Sequence, residues 1–328
     1  DMGRGSPLWV PSVPSFDAGD LLDDLSASES AEMTSYLSRP GAALGFHEMD
    51  EEDITGLIAM FASAAARARR AGFDGVELHA AHGYLISSFL SPSSNQRSDR
   101  WGGGLDNRAR LLTETIKAVK KEAGCDFPVW CRLDAVELGI KDGITLDEAC
   151  ETAKLAEQAG ADAVHVSAYA DPSRGSAFTL APLPHQPLAY AHMAAAVKKK
   201  VSVPVIAVGR IDAEQGELLL AHNGADFIAM GRGLLADPEL ANKLAGGRRR
   251  DIRPCIYCYD CVGNIFLNRS VSCAVNPRLG KEAARRRELG SARKKVLVVG
   301  GGPAGMEAAC LAAERGHAAT LCEREPRL

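Results

Sequence analysis

The chain has 328 residues, 46% of them hydrophobic, and a formal net charge of −4. That is enough apolar sequence for a large core, and length enough for two domains. The balanced charge gives no footprint for nucleic acid or an anionic membrane surface, and no apolar run approaches the ~20 residues of a membrane-spanning helix. The basic runs 248–250 and 285–287 are local and read as solvated faces. No secretory signal is recognisable, so the nine cysteines are expected in a reducing cytoplasm.

Residues 1–45 carry Pro7, Pro11 and Pro14, then an acidic, serine-rich stretch from Asp17 to Glu32, and are expected to be mostly loop. From Met49 the pattern turns regular. Asp50, Glu51 and Glu52 favour a helix start, and Ile54, Ile58, Phe61, Ala65 and Ala66 recur at helical spacing as far as Arg70, where Gly72 stops it. Strands are expected over 73–78, 128–133, 162–167, 204–208 and 226–230. Helices are expected over 106–123, 145–160, 187–199 and 213–223, with Thr145 and Glu148 as a capping pair and a short helix after Pro238.

Five apolar strands alternating with helices predict a parallel α/β sheet. His79, Arg132, Ser167, Gly209 and Gly231 fall at or just after strand ends. In a (β/α)8 barrel those ends build the active site, and a doubly wound sheet is the alternative fold.

Two later stretches carry chemistry of their own. Cys255, Cys258 and Cys261 follow one another with two residues between neighbours, and Cys273 comes twelve positions later. Such a loop can aim three thiolates at one centre. The spacing favours a [4Fe–4S] cluster and leaves a four-cysteine zinc site open. Residues 296–305 then read as a strand, a G-x-G-x-x-G turn at Gly300, Gly302 and Gly305, and a helix start. A helix to Arg315 and a second strand over 317–321 follow, with Glu323 at its end. Strand, turn, helix, strand and terminal acid together form the start of a Rossmann-like dinucleotide-binding unit. The glycines admit a pyrophosphate and the acid can take ribose hydroxyls.

The run from Gly72 to Pro92, with His79, His82, Tyr84 and Phe89, resembles the old yellow enzyme family, as do Asn95, Arg97, Asp99, Gly102, Asn107 and Arg108. More narrowly it resembles the multi-cofactor branch that includes 2,4-dienoyl-CoA reductase and trimethylamine dehydrogenase. The resemblance covers about residues 47–328 and includes Ala274 to Pro277 after Cys273. It implies an FMN-binding (β/α)8 TIM barrel, then a [4Fe–4S] loop, then a dinucleotide-binding domain, in the order found here. The expected divisions are an irregular segment at 1–46, a partial barrel at 47–247, a cluster segment and linker at 248–292, and a dinucleotide-binding start at 293–328. The five strands match the family's fourth to eighth, so the chain is expected to lack about three opening βα units and the rest of its last domain.

By the same resemblance, His79 and His82 face the substrate. Two imidazoles three residues apart can polarise one carbonyl or carboxylate oxygen. Tyr84 lies close by and can donate a proton, with packing or a structural hydrogen bond as the favoured alternative. Arg132 matches the arginine beside the flavin's pyrimidine ring, and Gly209, Arg210, Gly231 and Arg232 match the phosphate loops. Arg97, Asp99 and Arg108 are expected to fix their loop. His165 is expected inside the barrel, and His185 is a weaker pocket candidate. The implied cofactors are FMN, a [4Fe–4S] cluster, FAD or another dinucleotide, and NAD(P)H.

The expected activity is NAD(P)H-driven reduction of an activated C=C bond in an enone or enoyl thioester. Oxidation of an N-methyl amine is the alternative. That sub-branch typically has tyrosine at the first position of the His-x-x-His pair, so His79 tilts toward reduction. A reading from another class is a catalytically incomplete fragment or partner subunit that only holds a cluster. The expected partner is a small-molecule substrate, with no nucleic acid and no membrane. A homo-oligomer is compatible with the sequence, which carries no marker of oligomeric state.

Overall fold

The computed structural model describes residues 7–13, 45–170, 186–266, 269–283 and 292–326, with four isolated positions between 27 and 35. The chain divides into two compact units, one reaching Tyr259 and the other running from Asp260 together with 235–237. Among the described residues no helix is long and apolar enough to cross a membrane.

The first unit opens with a pairing that the sequence pattern does not announce. Strand β1 (Leu8–Val10) lies parallel to β2 (Phe46–Glu48). Arg97 donates to the carbonyls of Pro11 (3.0 Å) and Met49 (2.7 Å) and pairs with Asp99, as expected of a loop-fixing residue. Helix α1 (Glu51–Arg70) starts on a capping box. Asp53 N–H donates to Asp50 Oδ1 at 2.9 Å, and Asp50 N–H donates to Asp53 Oδ2 at 3.1 Å. Acidic residues fill its first turn and Arg67, Arg69 and Arg70 its last, both favourable to the helix dipole.

Five strands follow: β3 (Val76–Ala80), β4 (Val129–Leu138), β5 (Ala163–Ala170), β6 (Val205–Ala207) and β7 (Phe227–Ile228). They form one sheet in sequence order, every pair parallel. This is the expected α/β class. Strand β3 starts later than expected because pairing begins only at Val76, whose N–H donates to the Pro128 carbonyl at 3.0 Å. Strand β4 runs beyond its expected end and takes in Asp134 and Glu137.

The helices between these strands are α2 (Leu85–Leu90), α3 (Leu105–Arg108), α4 (Arg110–Ala123), α5 (Leu146–Gln158), α6 (Ala191–Lys198) and α7 (Ala213–Ala221). The expected capping pair at Thr145 and Glu148 forms, and Asp212 with Gln215 forms another. The helix expected over 106–123 is broken at Ala109, next to Arg108. That buried guanidinium donates to the carbonyls of Leu90 (2.9 Å) and Gly103 (2.6 Å) and pairs with Glu148. Leu111, Ile116, Val119, Val129, Val164 and Val166 form the centre of the core.

The second unit contains helix α8 (Asp260–Phe266) and a compact βαβ segment: β8 (Lys295–Val299), α9 (Pro303–Glu314) and β9 (Ala318–Cys322). The two strands are parallel, from Lys295 opposite Ala318 to Val299 opposite Cys322.

Candidate active site

Strands β3, β4 and β5 carry a polar face and an apolar face, where parallel strands are commonly apolar on both. Leu78, Ala80, Cys131, Leu133, Val164 and Val166 are buried on one side. Residues two apart share a face, so Glu77 and His79, Trp130, Arg132 and Asp134, and His165 and Ser167 stand on the other. Register aligns them in rows: Glu77 with Trp130, His79 with Arg132 and His165, and Asp134 with Ser167.

His82 follows β3 in the left-handed region at φ 65°, uncommon for a side chain other than glycine. Asp134 holds it there: His82 N–H donates to Asp134 Oδ2 at 2.6 Å, and Ser87 Oγ donates to the same oxygen at 3.0 Å. His82 Nε2 lies 2.6 Å from Ser167 Oγ, to which Arg132 Nη2 donates at 3.2 Å. The His79 and His82 rings meet edge to face at 5.0 Å, and the Tyr84 ring lies 5.0 Å from His79. The structure thus brings His79, His82 and Tyr84 together, with Arg132 tied to them through Ser167.

Burial, then the Arg132 charge, pushes both imidazoles below their ordinary range, and pushes His82 down to about 3. Burial pushes Asp134 up to about 7. Its Oδ1 is buried without a hydrogen-bond partner among the described residues and lies 4.0 Å from His82 Nε2. With His82 neutral, that approach is not an ion pair.

A cavity of ≈ 620 Å³ opens beside this cluster, within the usual range for a cofactor pocket. Arg132, His165, Gly209, Arg210, Gly231 and Arg232 line it. The His165 ring is oriented by Glu77, whose Oε2 lies 2.7 Å from Nδ1 and also accepts from Trp130 Nε1 at 2.6 Å. His165 Nε2 and Arg132 Nε are both buried with no hydrogen-bond partner among the described residues. His165, expected inside the barrel, stands on the cavity wall. Two such atoms on one wall call for a polar ligand.

At Gly209 (φ 117°) an added Cβ would come within 2.7 Å of Tyr190 Cδ2, while at Gly231 the space around it is open. Bare backbone at both strand ends, with Arg210 and Arg232 following, suits a phosphate. The cavity therefore fits the polar ends of FMN: a phosphate at the arginines and a ring system with hydrogen-bonding edges at Arg132 and His165. His185 lies outside the described residues.

The cysteines are a different case. Cys255 (half-buried) and Cys258 (exposed) belong to the first unit, Cys261 (buried) and Cys273 (half-buried) to the second. Among the described residues no group of three or more His, Cys, Asp or Glu is close enough to hold a metal ion. The four cysteines expected to act together from their spacing form no such group. What does stand out is a pair of tyrosines between these cysteines, Tyr257 at φ 55° and Tyr259 at φ 65°. Such conformations cost about 1–3 kcal/mol each and persist only where surroundings hold them. The ring of Tyr257 lies under the guanidinium groups of Arg210 (4.5 Å) and Arg232 (5.1 Å).

In the second unit the glycine turn forms as expected. Gly300 has φ 105°, Gly302 caps α9 and Pro303 is its first residue. A Cβ on Gly305 would sit 1.9 Å from the Gly300 carbonyl oxygen. Glu323 accepts from Gly301 N–H at 2.5 Å, and from Glu325 and Arg324 N–H, and these backbone donors lower its pKa.

Residues 16–251 match the NADH:flavin oxidoreductase / NADH oxidase family. The chain belongs to that family. Residues 264–328 match the pyridine nucleotide-disulphide oxidoreductases. Over 298 residues the chain is 42% identical to a NADH oxidase of Thermoanaerobacter brockii, covering 90% of this chain and 44% of that protein. It is 37% identical over 295 residues to a cinnamate reductase of Clostridium sporogenes, covering 84% and 44%. Its structure resembles 2-naphthoyl-CoA reductase in complex with 2-naphthoyl-CoA, with a TM-score of 0.81 at 36% identity over 89% of this chain and 44% of that one. It also resembles histamine dehydrogenase from Rhizobium sp. 4-9, with a TM-score of 0.75 at 30% identity over 88% and 42%. The chain thus spans less than half the length of these relatives. The resemblance to the old yellow enzyme type in its multi-cofactor branch is borne out, and with it the barrel-type α/β class.

Sequence reasoning missed Asp134 as the residue under His82 and the Glu77–His165 pair. A signal existed: polar residues at i and i+2 in successive apolar strands, E-x-H, R-x-D and H-x-S. The stacking of Tyr257 on two arginines leaves no trace in spacing.

Proposed function

We propose that this chain is the flavin-binding part of an NAD(P)H-dependent oxidoreductase that reduces a C=C bond conjugated to a carbonyl, as in an enone or enoyl thioester. The observation that carries this reading is the neutral His79–His82 pair tied through Ser167 to Arg132 on the cavity wall. FMN bound in the cavity would supply the hydride. The two imidazoles hydrogen-bond the substrate's carbonyl oxygen and draw electron density from the β-carbon. Being uncharged at neutral pH, they are hydrogen-bond donors and poor proton donors. The proton for the α-carbon is assigned to Tyr84, which is exposed beside His79. Arg132 presents a donor to the flavin's polar edge and His165 Nε2 an acceptor, since its Nδ1–H faces the Glu77 carboxylate, and Arg210 and Arg232 hold the phosphate.

Likeness to a cinnamate reductase and a 2-naphthoyl-CoA reductase supports a carbonyl-conjugated substrate. Likeness to histamine dehydrogenase supports amine oxidation as the second reading. The four-cysteine spacing supports a [4Fe–4S] cluster on Cys255, Cys258, Cys261 and Cys273. The turn from Gly300 to Glu323 supports FAD or another dinucleotide. A cytoplasmic location and small-molecule partners go with this assignment.

The test is anaerobic. The protein is reconstituted with FMN, reduced with NADH, and mixed with cinnamoyl-CoA. Reoxidation of the flavin is expected, slowed by about 10²–10³-fold in His82→Ala at unchanged FMN affinity. If an enoyl thioester fails to reoxidise the flavin and methylated amines fail to reduce it, both enzyme readings fall. Bound iron and sulfide without flavin would support the cluster-holding partner instead.

A further inference from the structure

Ser167, on β5, is fully buried between two groups of the site. Its Oγ lies 2.6 Å from His82 Nε2 and accepts from Arg132 Nη2 at 3.2 Å. Those are the hydroxyl's two partners among the described residues. A hydroxyl brings one hydrogen to donate and two lone pairs to accept with, and a guanidinium can only donate. The Arg132 contact therefore occupies one lone pair and leaves the Ser167 hydrogen to be placed.

Two arrangements can be drawn at the His82 contact. If Nε2 carries the imidazole hydrogen, Ser167 accepts a second time, and its own hydrogen finds no acceptor in a residue sealed from water. A buried donor left unmade is costly. If Nε2 is bare, Ser167 donates to it and all three groups are satisfied. Asp134 pulls the other way, but its Oδ1 stands 4.0 Å from Nε2, beyond hydrogen-bond reach. Its Oδ2 is taken by His82 N–H and Ser87 Oγ, which anchor the turn and leave the ring to Ser167. A neutral imidazole has one hydrogen, so a bare Nε2 puts it on Nδ1. Nδ1 has no hydrogen-bond partner among the described residues.

We propose that Ser167, oriented by Arg132, is a positioning residue that fixes His82 as the Nδ1–H tautomer and so makes Nδ1 the nitrogen that donates to the substrate's carbonyl oxygen. The carbonyl rests on the function proposed above; the tautomer does not. The other tautomer would turn a lone pair toward that oxygen and repel it, so the choice of nitrogen decides whether His82 polarises the substrate at all.

The test labels the eight histidines of the full chain with 15N and reads both ring nitrogens by long-range 1H–15N correlation at neutral pH. The His82 signals are identified by their loss in His82→Asn. Wild type is expected to show a protonated Nδ1 and a bare Nε2. In Ser167→Ala the hydrogen is expected to move to Nε2 in the major form, drawn by Asp134. Wild type with the hydrogen on Nε2, or a folded Ser167→Ala with the wild-type pattern, overturns the proposal. Activity gives a second readout, because the amide of asparagine falls near the Nδ1 position and that of glutamine near Nε2. Reoxidation of the reduced flavin by cinnamoyl-CoA is expected to slow by less than about 10-fold in His82→Asn and by about 10²–10³-fold in His82→Gln. The reverse order overturns the assignment of Nδ1 to the substrate. A wild type that cannot turn over the thioester overturns the enzyme reading, and the nitrogen signals still decide the tautomer.

Discussion

The phosphate seats proposed for the two units are built on opposite principles. In the first, Gly209 and Gly231 clear the backbone, and Arg210 and Arg232 supply charge. In the second, Gly300, Gly302 and Gly305 open onto the N-terminus of α9, and the nearby carboxylate of Glu323 is tied to Gly301 N–H. The first seat works through side chains that a ring can position. The second works through backbone donors and the dipole of a helix. The first should therefore tolerate small backbone shifts and respond to salt and charge. The second should be indifferent to side-chain charge and intolerant of a Cβ at Gly305.

Substituting Gly305 probes the second seat hardest. A Cβ 1.9 Å from a backbone oxygen cannot be accommodated without opening the turn. Gly305→Ala is expected to weaken binding of FAD or NADH by about 100-fold or more, with FMN binding in the first unit unchanged. Equal loss at both seats would break the contrast. Removing a cation probes the first. Arg232→Met is expected to cost FMN about 10- to 100-fold in affinity, as one charge-assisted phosphate contact is lost. The salt dependence of FMN binding should flatten in that variant, and dinucleotide binding should not change. Titration calorimetry at two ionic strengths reads both.

The smallest effect sharpens the contrast between polar and apolar faces of the same sheet. His82 has its pKa depressed to about 3, so between that value and its ordinary ~6.5 the unfolded chain binds more protons. Its contribution is fully present above ~6.5 and is lost as pH falls through that window. Asp134 is raised to about 7, so the folded chain binds more protons between the ordinary ~3.9 and that value. Its contribution is present at low pH and is lost as pH rises. The two oppose each other between about pH 4 and 6.5, each with a slope of at most ~1.4 kcal/mol per pH unit. Their two contributions should nearly cancel in that range. Asp134→Asn should make stability rise with pH, and His82→Gln should make it fall. Urea midpoints at pH 4.5 and 6.5 would show this, and an Asp134→Asn midpoint that does not move would sink the account.

Much of the framework was legible beforehand because its signals are local. The acidic helix start at 50–52, the Thr145–Glu148 cap, the stop at Gly72 and the glycine turn at 300–305 each involve residues a few positions apart, where geometry follows from residue type. The β1–β2 pairing was missed because each strand is three residues long and pairs across more than thirty positions. The break at Ala109 was missed because its neighbour Arg108 is pinned by carbonyls distant in sequence. His79, His82 and Arg132 were legible through a long motif. Asp134 and the Glu77–His165 pair were not, since only strand register shows which polar residues meet.

The sequence by itself determined that apolar runs alternate with amphipathic ones, that glycines stand where backbone must be bare, and that arginines follow two of them. Those are properties of neighbours along the chain. Tertiary structure alone decided that one aromatic ring from the cysteine loop lies under both arginines, that a carboxylate over fifty positions away holds His82 in a left-handed turn, and that burial beside Arg132 keeps its imidazole neutral. Electrostatics and hydrogen bonding depend on distance through space, and only the folded sheet sets those distances.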